Sequence, residues 1–275
     1  MNIPIGILAQ DEPSFYDDIV ALGLGTNLKL CLDAGSASSY DGSSQSWLDL
    51  AGSGYDFFRG ADGSAASDDP TFNGTSGNLT SGEYFSFDGG DYFNYDSAVE
   101  TWMSNLHQNS AAFSWAFWFY SPASFTGSLC GTVNSSTGFH GINIMNNGTN
   151  TVAVTALNGS AHVMGGSVVV GDTALSTSAW NFVAGSIDEA TGAGGGFHYL
   201  NGVRNQVSGV DTFDCTYTSP SSTAASSMCF GSPHGAADYL GNGSRLGGVM
   251  FWEGGVLTKA NFDSIWNRQK GRYGL

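Results

Sequence analysis

FSWAFWFY, residues 113–120, sets Phe113, Trp115, Phe117 and Phe119 in alternation with Ser114, Ala116, Trp118 and Tyr120. A period of two marks a β-strand, because successive side chains leave a strand on opposite faces, and aromatic residues favour the pleated surface. Outward from this stretch the pattern repeats. Leu28, Leu30 and Leu32 alternate, and EYFSFDGGDYF (83–93) sets Phe85 and Phe87 against Tyr84, Ser86 and Asp88, with Asp88-Gly89-Gly90 reading as a hairpin turn. Strands are also expected at 141–145, 151–157, 162–170, 180–187, 196–200, 228–230 and 246–252, and a long loop at 52–78. After residue 252 the period changes: Thr258 caps a helix over 259–270 with Phe262, Ile265 and Trp266 on one face, and Gly271 stops it. Many short strands divided by turns, with one late helix, predict an all-β fold: a two-sheet antiparallel jelly-roll sandwich with a short C-terminal helix.

Composition narrows the function. In 275 residues, 24 acidic side chains against 8 basic ones give a net charge of −16, which disfavours binding to nucleic acid phosphates or to an anionic membrane. Charged residues are 12% of the chain and Gly numbers 40, so hydroxyls and amides replace Lys and Glu on the surface. Residues 1–27 read as an N-terminal arm ahead of a single domain, 28–275. The arm carries an apolar stretch (Ile3, Ile5, Ile7, Leu8), two prolines and a short helix capped by Ser14. No basic segment precedes that apolar stretch, so a protein made and used without secretion is expected. Cys31, Cys130, Cys215 and Cys229 have neither zinc-ligand spacing nor a C-x-x-C pair and read as buried free thiols, with a Cys215–Cys229 bridge as the minor alternative.

Four segments in order resemble the LamG-like group of the concanavalin A-like lectin and glucanase superfamily. They are an apolar strand ending in Asp33 followed by Trp47 and Asp49, the 84–93 segment, WNFVAGSIDEATGAGGGFHYLNGV (180–203), and the closing strand and helix of 246–274. The resemblance implies the same jelly roll. The short arm and the wealth of Gly, Ser and aromatics are similar to structural proteins of tailed-bacteriophage particles. It therefore implies a virion protein made in the host cytoplasm, acting as a capsid decoration protein that self-associates as a trimer and docks on partners such as the major capsid protein. The alternative it implies is a carbohydrate-binding, host-recognition module on a tail or fibre.

An enzyme is not expected. Glycoside hydrolysis needs two carboxylates across the scissile bond, which this superfamily sets at alternate positions on one strand face. Only Glu12, Glu83, Glu100, Glu189 and Glu253 occur, none with an acid two positions away, and Asp188-Glu189 are adjacent. No nucleophile elbow or phosphate-binding loop is present. The five histidines (His107, His140, His162, His198, His234) lack metal-ligand spacing. No catalytic, cofactor or metal residues are assigned and no cofactor is expected. Structural calcium has a limited case in the Asp clusters near 62–69 and 88–96, where Asp88 and Asp91 are expected to hold a turn. For sugar stacking the candidates are Tyr55, Phe57, Phe58, Tyr92, Tyr95 and Tyr239.

Overall fold

A computed structural model of the chain describes residues 12–275 apart from 125, 165 and 236. In chain order its strands are β1 (Leu28–Asp33), β2 (Ser46–Trp47), β3 (Phe57–Arg59), β4 (Thr71–Asn73), β5 (Tyr84–Ser86), β6 (Phe93–Tyr95), β7 (Ala112–Ser121), β8 (Ser128–Gly131), β9 (His140–Asn146), β10 (Val152–Asn158), β11 (Val169–Val170), β12 (Ala179–Asp188), β13 (Gly196–Leu200), β14 (Val203–Asn205), β15 (Cys229–Phe230) and β16 (Arg245–Glu253). Helices α1 (Phe15–Ala21), α2 (Thr101–Asn105) and α3 (Lys259–Gln269) complete the set. The strands form two antiparallel sheets of eight: β14-β13-β12-β7-β16-β5-β4 with β1 also on β16, and β11-β10-β9-β8-β15-β6-β3-β2. The jelly-roll sandwich expected from the alternating strands is what the chain adopts.

The two sheets differ in what covers them. Phe113, Trp115, Phe117 and Phe119 of β7 point into the core between the sheets, beside Phe85, Phe93, Ile142, Ile144 and Phe230. The other face of β7 is also apolar. Ala116 and Trp118 join Phe182, Tyr199 and Trp252 in a second core that is roofed by Phe15 and Ile19 of α1 and by Phe262 and Ile265 of α3. A strand buried on both faces reads as a nearly continuous apolar run, which accounts for FSWAFWFY. The helix-bearing sheet is thus the covered sheet. The other is open, with no helix on its outer face among the described residues.

Several expectations are corrected. Asp88-Gly89-Gly90 does not close a hairpin: β5 pairs with β4 and β16 in the covered sheet, while β6 pairs with β3 and β15 in the open one. The turn carries the chain across the sandwich, so Phe85 and Phe93 meet edge to face with centroids 4.8 Å apart instead of sharing a ladder. Its acids act as expected, Asp91 accepting from the Asp88 N–H (2.9 Å) and Asp88 from the Gly90 N–H (3.0 Å). The stretch 162–170 yields only β11, because Gly166 at φ +72° ends the extended run. Residues 52–78 contain β3 and β4, anchored by the fully buried Phe57 and by Arg59 donating to the Pro70 carbonyl. The region read as an arm is in part built into the domain, since Phe15 and Ile19 are fully buried. Ser14 caps α1 as expected. The apolar stretch Ile3–Leu8 lies outside the described residues. All four cysteines are buried and free.

Candidate functional site: a groove on the open sheet

Outward side chains of the open sheet form one row, because directly paired residues face the same way. Thr155 pairs with Asn143, Asn143 with Gly131, Gly131 with Cys229, Cys229 with Asn94, Asn94 with Phe58 and Phe58 with Ser46. Apart from Phe58, the row is small or polar. Burial pushes the Cys229 thiol up to about 12, so it stays protonated and unreactive at neutral pH.

One loop lies over the middle of this row. A Cβ on Gly131 would collide with the Cα and carbonyl of Pro233, so glycine lets the 232–239 loop settle directly on the sheet. The loop is pinned by the Val133 N–H donating to the Pro233 carbonyl (3.1 Å) and the Ser128 N–H donating to the Asp238 carbonyl (2.9 Å). Ser232 Oγ organises it from within, donating to the Ala237 carbonyl (2.8 Å) and accepting from the Gly235 N–H (2.9 Å).

Between this loop and the 158–162 hairpin runs a groove of three hollows. The first, of about 250 Å³, lies against Phe139, Leu157 and His162. The second, of about 170 Å³, shares those three residues and adds Asn143, Thr155, His234 and Asp238. The third, of about 190 Å³, shares Met145 and Asp238 with the second and ends at Gly127, Ser128 and Asn146. Thr155 Oγ1 and His162 Nδ1 are hydrogen-bonded at 2.6 Å. Asn143 is buried, its Nδ2 donating only to the soft Met145 sulfur (3.2 Å), and its Oδ1 has no partner. The buried Nδ1 of His234 has none either. Buried polar atoms are normally paired, so these two stand out beside the groove, although neither is open to solvent.

Phe139 stands at the lip, 53% exposed. It holds φ +66°, unusual for a bulky residue, next to Gly138 at φ +96°. Its N–H donates to the Asn134 carbonyl (2.8 Å) and its carbonyl accepts from the Gly159 N–H (3.2 Å), so the turn holds the backbone that carries the ring. Strain held in place by surrounding bonds at the edge of a groove is a feature of ligand sites.

The aromatics singled out from sequence fall elsewhere. Phe57, Tyr92 and Tyr95 are buried. Tyr55 packs on Tyr95 and Trp102, and Tyr239 braces the loop from beneath, with its ring 5.9 Å from Tyr92 and its hydroxyl donating to the Gly235 carbonyl. Only Phe58 lies on the outer row. Phe139, His162 and His234 were not picked out as a site. The available signal was a lone aromatic within the turn-rich run Asn134–Phe139, where nothing apolar in sequence explains it.

The acids elsewhere hold turns. Asp188 accepts from Thr191 Oγ1, and Glu189 from the Ser110 and Tyr217 N–H groups. Asp62 and Asp68 accept from the Ser64 and Ala61 N–H groups, respectively. Among the described residues no three His, Cys, Asp or Glu side chains converge as metal ligands, and no helix is long and apolar enough to cross a membrane. A larger hollow, of about 360 Å³, lies between Glu12–Asp18 and Arg268–Arg272. It is a seam between elements whose charges are already matched, Arg268 with Asp18 and Arg272 with Asp33.

No family model matches the sequence, and no curated protein is similar to it in sequence. Solved structures share the fold. One is of botulinum neurotoxin type C, whose uptake into cells depends on interaction with two ganglioside molecules (TM-score 0.59, 11% identity, 90% of this chain and 52% of that one). Another is domain 4 of AbnA, a GH43 extracellular arabinanase from Geobacillus stearothermophilus, in complex with arabinotriose (TM-score 0.54, 14% identity, 87% and 98%). A third is Trypanosoma rangeli sialidase in complex with sialic acid (TM-score 0.55, 12% identity, 90% and 34%). The chain spans about a third of the sialidase and about half of the neurotoxin chain. At such identities the likeness is one of fold, a sandwich of antiparallel sheets.

Proposed function

We propose that the chain is a non-enzymatic carbohydrate-binding module whose saccharide site is the groove on the open sheet. The observation that carries this reading is the exposed Phe139 ring at the lip of a groove lined by Asn143, Thr155, His162 and His234. A sugar offers an apolar ring face and a fringe of hydroxyls, and the groove offers an aromatic face beside amide, hydroxyl and imidazole groups. Against hydrolysis, the groove contains a single carboxylate, Asp238, where the chemistry uses two.

Of the two roles expected from sequence, host-surface binding is thus favoured over capsid decoration. A place on a phage tail or fibre, and partners within such a particle, rest on the sequence resemblance alone. The test is glycan-array binding of the whole chain beside Phe139→Ala. Signals on defined glycans that the variant loses support the reading. An array on which no signal depends on Phe139, or reducing sugar released from a bound glycan, sinks it.

A further inference from the structure

We infer that the groove takes an internal stretch of an extended, uncharged polysaccharide, an inference that rests on the saccharide-binding reading. The three hollows follow β9 from its start to its end. The first flanks the 158–162 hairpin, where Asn158 pairs with His140, and the last reaches Asn146. Residues 140–146 span about 20 Å at a rise of about 3.3 Å per residue. Here neighbouring hollows border the same side chains, Phe139, Leu157 and His162 for the first two and Met145 and Asp238 for the last two. A linear chain of several sugars fits that shape.

Charge sets the class. No Lys or Arg lines any of the three hollows, and the one charged side chain there is the carboxylate Asp238, on a chain of net charge −16. A sialate, uronate or sulfate would enter without a cation to meet it and against like charge. Hydroxyls suit the site, since they can either donate to or accept from the imidazoles of His162 and His234.

Affinity electrophoresis of the whole chain in gels containing neutral polymers (mixed-linkage β-glucan, galactomannan, dextran) or anionic ones (alginate, hyaluronan, polysialic acid) tests the class. A length series of neutral oligosaccharides, free and capped at both ends, tests the mode. The expected result is retardation by at least one neutral polymer and by none of the anionic ones. Phe139→Ala, which stays folded by its melting curve, weakens that binding about tenfold. Affinity rises over the first few sugars, and capped oligomers bind as well as free ones. Phe139-dependent retardation by an anionic polymer, or binding lost on capping, overturns this inference and leaves saccharide binding standing. Absence of Phe139-dependent binding to every polymer overturns both.

Discussion

Asp33 and Arg272, 239 positions apart, meet in a bidentate pair, Arg272 donating from Nη2 to Oδ1 (2.7 Å) and from Nη1 to Oδ2 (2.9 Å). The carboxylate is fully buried and the guanidinium nearly so. Asp33 also accepts from the Phe15 N–H (3.0 Å) and the Gly35 N–H (2.9 Å), while the Arg272 guanidinium stacks 4.4 Å from the Phe15 ring centroid. One ion pair thus ties the first strand, the N-terminal helix and the C-terminus together on the covered sheet. That leaves the open sheet as the face free for a ligand.

Breaking such a pair from one side strands a buried charge. Arg272→Met is expected to cost about 3–5 kcal/mol in chemical denaturation, and Asp33→Asn in the same protein should restore part of it. Additive losses in the double variant would show that the two residues do not act as a unit.

Asp91 gives stability a pH dependence. Burial pushes its carboxyl up to about 7, with the Asp88 and Asp69 charges adding to the shift and the Asp88 N–H opposing it. The folded state therefore holds a proton that the unfolded chain releases near pH 4, so this group makes stability fall as pH rises from about 4 through 7. Asp91→Asn should flatten that decline and be more stable than the parent at pH 8. An unchanged slope in denaturation midpoints between pH 5 and 8 would rule the effect out.

Phe139 should show a trade between stability and binding. Its left-handed backbone costs on the order of 1 kcal/mol, which glycine avoids. Phe139→Gly is expected to keep or raise the melting temperature while losing glycan binding. A drop of several degrees would mean that the ring is a packing residue.

How far the sequence goes can be judged from particular residues. Phe113 to Phe119 announce their strand because alternation is local, and Thr258 announces α3 because a cap acts within one turn. The crossover at Asp88–Gly90 carries the pattern of a hairpin, because turn chemistry specifies a reversal and not which sheet the next strand joins. The burial of Trp118 and Phe182 depends on α1 and α3 roofing them, a contact between elements distant in sequence. The groove was not legible at all: it depends on Pro233 landing on Gly131, a contact across 102 positions with no local pattern.

Self-association is the expectation that the edge strands bear on. At the end of β14 the Asn205 side chain is engaged within the chain, its Oδ1 accepting from the Thr173 N–H and its Nδ2 donating to the Thr173 carbonyl. A trimer that forms through other surfaces should survive Val203→Lys, a change at an exposed position of β14. Sedimentation velocity at micromolar concentration checks this. A clean monomer removes self-association, and dissociation by the lysine places the interface at β14.

The N-terminal region divides into two parts with different expected roles. Phe15 and Ile19 are fully buried on the covered sheet, and burying a large aromatic against its neighbours stabilises by several kcal/mol, so Phe15→Ala should cost about 3–5 kcal/mol. Residues 2–11 precede the Ser14 cap and lie outside the described residues. Their deletion should leave the melting temperature within about a degree, given that α1, its capping box and the Asp33–Arg272 pair are all retained. If the apolar stretch Ile3–Leu8 attaches the chain to a partner, the same deletion abolishes incorporation into particles or self-association. Normal incorporation by the shortened chain would remove that role, and outright unfolding would show that residues 2–11 belong to the domain's core.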